Sequence, residues 1–111
     1  MTQGAPAEPF GRLTAKDAAD RINSGELRVV DVREQWEYAR DHIPEANLTP
    51  LGQIIARPQE AITSDNVIFV CEVGQRSAVA AELAAATGMK HVFNLEGGMQ
   101  AWRGAGLPVS S

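Results

Sequence analysis

Cys71 is the only cysteine in 111 residues, and it stands in Cys71-Glu72-Val73-Gly74-Gln75-Arg76-Ser77. The apolar run Val67-Ile68-Phe69-Val70 precedes it and the alanine-rich run Ala78 to Ala86 follows. By pattern this is a buried strand, a short loop and a helix. A free thiol titrates near pH 8.5, but a helix N-terminus and a nearby cation favour the thiolate, which is the nucleophilic form. Gly74 gives the backbone freedom for successive N–H groups to turn inward around an anion. Arg76 adds a permanent cation, and Ser77 can cap the helix or donate to whatever the loop binds. Glu72 works against this, because a carboxylate beside the nucleophile repels an anionic donor. A lone cysteine at a strand end is ordinarily a small core residue. Gly74, Arg76 and Ser77 at these spacings favour a nucleophile instead.

The surrounding elements must place that loop. Thr14 and Asp17 resemble a capping box that opens a helix carrying Ala18, Ala19 and Ile22, closed by Asn23-Ser24-Gly25. Strands are expected at Phe10–Leu13, Leu27–Val32, Ala46–Leu48, Val67–Val70 and His91–Asn94. Helical segments are expected at Glu34–Arg40, Leu51–Ala56 (stopped by Pro58), Ser77–Thr87 and Gln100–Arg103. Alternating strands and helices predict an α/β domain whose five-stranded, mainly parallel sheet is covered on both faces. Ligands of such folds lie beyond the carboxyl ends of the strands. Three strand ends there carry chemistry: Asp31 with Arg33, the Cys71 loop, and Glu96-Gly97-Gly98.

Composition limits the alternatives. A chain of 111 residues with 44% hydrophobic and 22% charged residues fits one globular domain. The net charge of −4 argues against nucleic acid or an anionic membrane as the main partner. One cysteine allows no internal disulfide, which suits a reducing compartment, and the expected location is the cytoplasm. Residues 1–9 read as a flexible tail rather than a secretory signal, with the domain over residues 10–109. No apolar run approaches the ~20 residues that span a bilayer. One cysteine and two separated histidines form no metal-ligand set, and no cofactor motif is present.

Asp31-Val32-Arg33, His42-Ile43-Pro44-Glu45-Ala46, Cys71 to Ser77, and Gly97-Gly98-Met99-Gln100-Ala101-Trp102 occur in this order. Together they resemble the rhodanese domain, specifically the single-domain sulfurtransferases, over roughly Leu13 to Pro108. The resemblance implies a three-layer rhodanese-like fold and a double-displacement sulfur transfer. Cys71 would take a sulfane sulfur from thiosulfate, mercaptopyruvate or a persulfide and pass it to cyanide or a thiol. Residues Glu72, Val73, Gly74, Gln75, Arg76 and Ser77 would cradle the persulfide, and a sulfur-relay protein is a candidate partner. Related phosphatases have a longer loop between cysteine and arginine, with room for phosphate; here four residues intervene, Glu72 to Gln75. A sulfur-carrying or binding module is the alternative, and a phosphatase or arsenate reductase the lesser one.

Two positions depart from the family pattern. Glu45 stands where glycine is common. Glu72 stands where thiosulfate-using members often have a basic or neutral residue, so Glu72→Lys is expected to raise thiosulfate turnover. Asp31 is expected to pin the site, while Arg33 could pin it or meet substrate. His42 could serve a cysteine–histidine pair with Asn47 or Asp65 as orienter, but persulfide formation needs no general base, so a turn-fixing role is preferred. His91 is read as structural, Trp36 and Trp102 as packing residues, and Gly97-Gly98 as too weak a pattern for phosphate binding.

Overall fold

A computed structural model describes residues 8–111. The expected tail, apart from Glu8 and Pro9, lies outside the described residues. The chain runs β1 (Gly11–Leu13), α1 (Ala15–Asn23), β2 (Arg28–Asp31), α2 (Gln35–Arg40), β3 (Asn47–Leu48), α3 (Leu51–Ala56), α4 (Pro58–Ala61), β4 (Val67–Val70), α5 (Gln75–Ala86), β5 (Val92–Leu95) and α6 (Gly98–Gly104). The five strands form one sheet of order β1-β5-β4-β2-β3, parallel at every pairing. All carboxyl ends therefore share one edge, and Asp31, Cys71 and Glu96 arrive there from separate parts of the chain.

Strand β4 is central and buried at every residue, as its unbroken apolar run predicts. Side-chain alternation divides it between two cores. Ile68 and Val70 join Val29 and Leu95 beneath α1 and α6. Val67, Phe69 and Cys71 face the other way, against Ile54 of α3 and Ala80, Ala81 and Ala84 of α5. The small alanine side chains let α5 lie close on the sheet, which brings its first turn onto Cys71.

Several local signals act as expected. Thr14 caps α1, its Oγ1 accepting from the Asp17 amide at 3.2 Å. Gly25 and Gly88 follow their helices with positive φ. Others differ. Pro58 opens α4 rather than only ending α3; proline lacks an N–H and suits the first helical turn. Helix α5 starts at Gln75, because left-handed Gly74 (φ 100°) already serves as its N-cap. Trp36 is exposed, with the Arg40 guanidinium over its ring at 5.4 Å, and is no core residue. Trp102 is buried as expected and donates to the Pro108 carbonyl at 2.8 Å.

Candidate active site

The Cys71 thiol is buried, 1% exposed, where β4 gives way to the loop. Its Sγ lies 3.1 Å from the Gly74 amide, which donates to it, and 3.3 Å from Ser77 Oγ. The Val73 and Ser77 amides face it as well. Burial pushes the thiol up, but the Ser77 hydroxyl and these amides outweigh burial and hold it below its ordinary value. Of the expected cradle residues, Val73, Gly74 and Ser77 are the ones that face Sγ. A tight loop turns its N–H groups inward, and the positive end of α5 lies behind them.

Two glycines make the cradle possible. Gly74 needs its left-handed conformation, although a side-chain carbon there would meet only ordinary contacts, the nearest at 3.4 Å. Gly98 is more constrained: a Cβ would fall 2.4 Å from the Cys71 carbonyl oxygen and 2.6 Å from the Glu72 carbonyl. The start of α6 presses on the back of the loop there. The Met99 amide donates to the Cys71 carbonyl at 2.8 Å, and the Gln100 amide to the Glu72 carbonyl at 3.1 Å. The Gly97-Gly98 pair thus lets the Met99 and Gln100 amides reach the loop's own backbone.

The charged residues pair in ways their sequence positions do not reveal. Arg76 faces Glu37 of α2 in a two-pronged pair, at 2.7 and 2.9 Å. Its arginine partner brings the Glu37 carboxyl down to about 2, against the opposing effect of burial. Glu72 is not free in solvent: it takes bonds from Arg103 of α6 at 2.7 and 3.2 Å and from Arg33 at 3.3 Å. Arg103 in turn holds Asp41 at 2.6 and 2.9 Å. The premise behind Glu72→Lys, an unbalanced carboxylate, is therefore corrected. A lysine there would stand beside two arginines.

Asp31 and fully buried Arg33 clasp each other, with the Arg33 amide, Nε and Nη2 all on the Asp31 carboxylate at 2.9 to 3.2 Å. Arg33 also reaches the Asp41 carbonyl at 2.5 Å. This pair ties the end of β2 to the loop and to the end of α2. The His42 ring stacks on Tyr38 with centroids 3.7 Å apart, and its Nδ1–H donates to the Tyr38 carbonyl at 2.7 Å. The His42 backbone pairs with Ser110. The alternative orienter Asp65 is engaged with His91, at 3.2 Å, and with loop amides. Among the described residues, no His/Cys/Asp/Glu cluster could hold a metal ion.

Sequence reading did not single out Glu37, Asp41, Asn94 or Arg103. Asn94, buried on β5, accepts from Ser77 Oγ at 2.5 Å and donates from Nδ2 to the Gly74 carbonyl at 3.1 Å. Its only local signal was a polar residue in an otherwise apolar strand. A hollow of about 470 Å³ bounded by Arg57, Glu60, Leu83 and Thr87 shares no residue with the Cys71 loop.

The profile of the family described as "Rhodanese-like domain" matches residues 14–105. Among curated proteins, "Putative sulfur carrier protein YrkF" of Bacillus subtilis is 38% identical over 99 residues, 88% of this chain and 54% of its own length. The chain thus spans about half of that relative. "Putative sulfurtransferase YtwF" of the same organism is 36% identical over 83 residues, 75% of this chain and 80% of its own. Among solved structures, a rhodanese-related protein of Thermoplasma volcanium superposes with a TM-score of 0.81 at 27% identity, covering 91% of this chain and 98% of that one. RPA3614 of Rhodopseudomonas palustris, described as a protein of unknown function and "Possible Tyrosine Phosphatase", gives 0.78 at 30% identity and covers 99% of both chains. No helix among the described residues is long and apolar enough to cross a membrane.

Proposed function

Because this chain belongs to the rhodanese-like domain family, we propose that it transfers sulfane sulfur through a persulfide on Cys71. The observation that carries the reading is the seating of Sγ on the Gly74 amide and the Ser77 hydroxyl within a four-residue loop. In the first step the Cys71 thiolate attacks the outer sulfur of the donor. A new S–S bond forms, and the donor remnant leaves with the electron pair of the bond it loses. In the second step a thiol or cyanide attacks the outer sulfur, and the Cys71 thiolate is the leaving group. The same loop amides serve both steps, since a less basic thiolate leaves faster. Asp31, Arg33 and His42 support the loop and its neighbouring turns.

The donor is a persulfide or thiosulfate. Beside the loop, Asp31, Asp41 and Glu72 face Arg33 and Arg103, so the cluster carries no excess of positive charge to draw in a dianion. This favours delivery by a persulfide, including one on a partner protein. The sulfur-carrier name borne by YrkF supports the second reading, a carrier module serving a partner enzyme. Phosphatase chemistry is disfavoured by the short loop and by Arg76, whose two terminal nitrogens are both on Glu37.

Intact-mass measurement separates these readings. After incubation with thiosulfate, or with a cysteine desulfurase and cysteine, one added sulfur is expected, removable by cyanide and absent in Cys71→Ser. Loading from the protein donor alone selects the carrier reading. No loading from any donor overturns sulfur transfer, and Cys71-dependent hydrolysis of an aryl phosphate would reinstate the phosphatase.

A further inference from the structure

Ser77 has one hydroxyl proton and two neighbours that could take it. Asn94 Oδ1 lies at 2.5 Å and Cys71 Sγ at 3.3 Å. The Asn94 amide cannot be turned over. Its Nδ2 meets the Gly74 carbonyl at 3.1 Å, and a carbonyl only accepts, so Oδ1 must face Ser77. An amide oxygen also only accepts. Both side chains are buried, at 0% and 3% exposure, so no bulk water replaces a missing partner. The Ser77 proton therefore points at Asn94, and Ser77 offers sulfur a lone pair. That arrangement suits a protonated thiol, whose S–H donates to Ser77 Oγ. A thiolate needs the opposite: the hydroxyl must turn to sulfur and abandon Asn94.

We propose that Asn94 is a positioning residue for Cys71, holding the Ser77 hydroxyl as an acceptor toward the resting thiol and releasing it only when the sulfur ionises. On ionisation the thiol proton leaves to water and the Ser77 proton rotates from Oδ1 to Sγ. When a persulfide forms, the charge moves to the outer sulfur, Sγ no longer needs the proton, and the bond to Asn94 is restored. The consequence is a thiolate more basic than the loop amides and an uncontested Ser77 hydroxyl would give, and intrinsic nucleophilicity of a thiolate rises with its basicity. This deepens the sulfur-transfer reading and rests on it for its purpose, but the hydroxyl switch itself concerns only ionisation of Cys71.

The charged groups around Cys71 stay the same when Asn94 is changed. They are Arg76 of α5 with Glu37 of α2, Asp31 and Arg33 at the end of β2, Glu72 of the loop, and Arg103 of α6, which reaches Glu72. Asn94→Leu removes the competing acceptor, so the titration midpoint of Cys71 should fall by about one unit, a roughly tenfold larger thiolate fraction below the midpoint. It is read from the ultraviolet absorbance of the thiolate against a Cys71→Ser blank. Ser77→Ala should raise the midpoint, and Asn94→Leu added to Ser77→Ala should change nothing further. Asn94→Ala, a smaller replacement, carries the same expectation if the leucine variant does not fold. A midpoint that rises or stays put in both Asn94 variants overturns the proposal. So does an equal fall in the Ser77→Ala background, which would mean that Asn94 acts through the Gly74 carbonyl alone. Sulfur loading is not part of this measurement, so failure of the switch and failure of sulfur transfer are told apart.

Discussion

Glu72 shows how a residue's neighbours decide its electrostatic effect. Beside a nucleophile it should repel anions, yet its carboxylate lies between Arg33 and Arg103 and is held below the usual carboxylate range, first by the hydrogen bonds from Arg103. A lysine there would put a third cation beside Arg33, which is fully buried, and Arg103, with only Asp31 and Asp41 left to balance them. Glu72→Lys should therefore lower stability by about 1–3 kcal/mol, with no gain in the specificity constant for thiosulfate. Glu72→Gln keeps an acceptor and should lose less. Thermal unfolding with steady-state kinetics checks both, and a lysine variant that is stable and faster with thiosulfate would contradict this account. Glu37 is the companion case. Its carboxyl is depressed to about 2, mainly by the Arg76 pair. A depressed carboxyl adds stability that is present above its unfolded value, near 4.5, and is lost as pH falls toward 2. Glu37→Gln should thus cost stability at neutral pH and almost none near pH 2, in urea titrations across that range. Arg76 is partly exposed, so solvent limits the loss to about 1–2 kcal/mol.

At the scale of elements, the loop is held from two sides. The loop residues Val73 and Gly74 and the first turn of α5 supply the amides that face sulfur, and α6 grips the carbonyls behind it. The two glycines at these junctions should respond differently. Gly98→Ala drives a methyl group into the Cys71 and Glu72 carbonyls, at a positive φ, and should cost about 3 kcal/mol or more. Gly74→Ala has room for its methyl and suffers only the left-handed backbone, about 1–2 kcal/mol. Denaturant unfolding should rank them in that order. Gly74→Ala should also slow sulfur loading, because the amide of residue 74 contacts Sγ directly. Equal stabilities would show that α6 can move away from the loop at little cost.

Across the whole molecule, the parallel sheet brings these parts to one edge. Strand β4 is central, so its carboxyl end has neighbours on both sides: β2 with Asp31, and β5, which runs into Glu96 and the glycine pair. Asp65, Asp41, Glu72 and Glu37 all have lowered carboxyl values, held down by partners in the folded chain. The domain should therefore lose stability progressively as pH falls from about 5 toward 2, and the Glu37→Gln profile should be flatter over that window.

The strands, most helices and the Cys71 cradle could be read from the sequence because each rests on neighbouring residues. Alternation or unbroken apolarity marks a strand, a glycine marks a left-handed turn, and four residues between Cys71 and Arg76 set the loop's size. The partners of Arg76, Glu72 and Ser77 could not be read. Glu37 is 39 residues from Arg76, Arg33 is 39 from Glu72, and Asn94 is 17 from Ser77. Nothing local encodes such pairings. They exist because parallel strands deliver distant segments to the same edge, and burial there forces each polar group to find a partner in whatever the fold brings near. The sequence alone thus determined where the one cysteine sits and how many residues separate it from Arg76. Only the tertiary structure decided which charges cancel and which way the Ser77 hydroxyl points, since both depend on contacts made after the chain has closed.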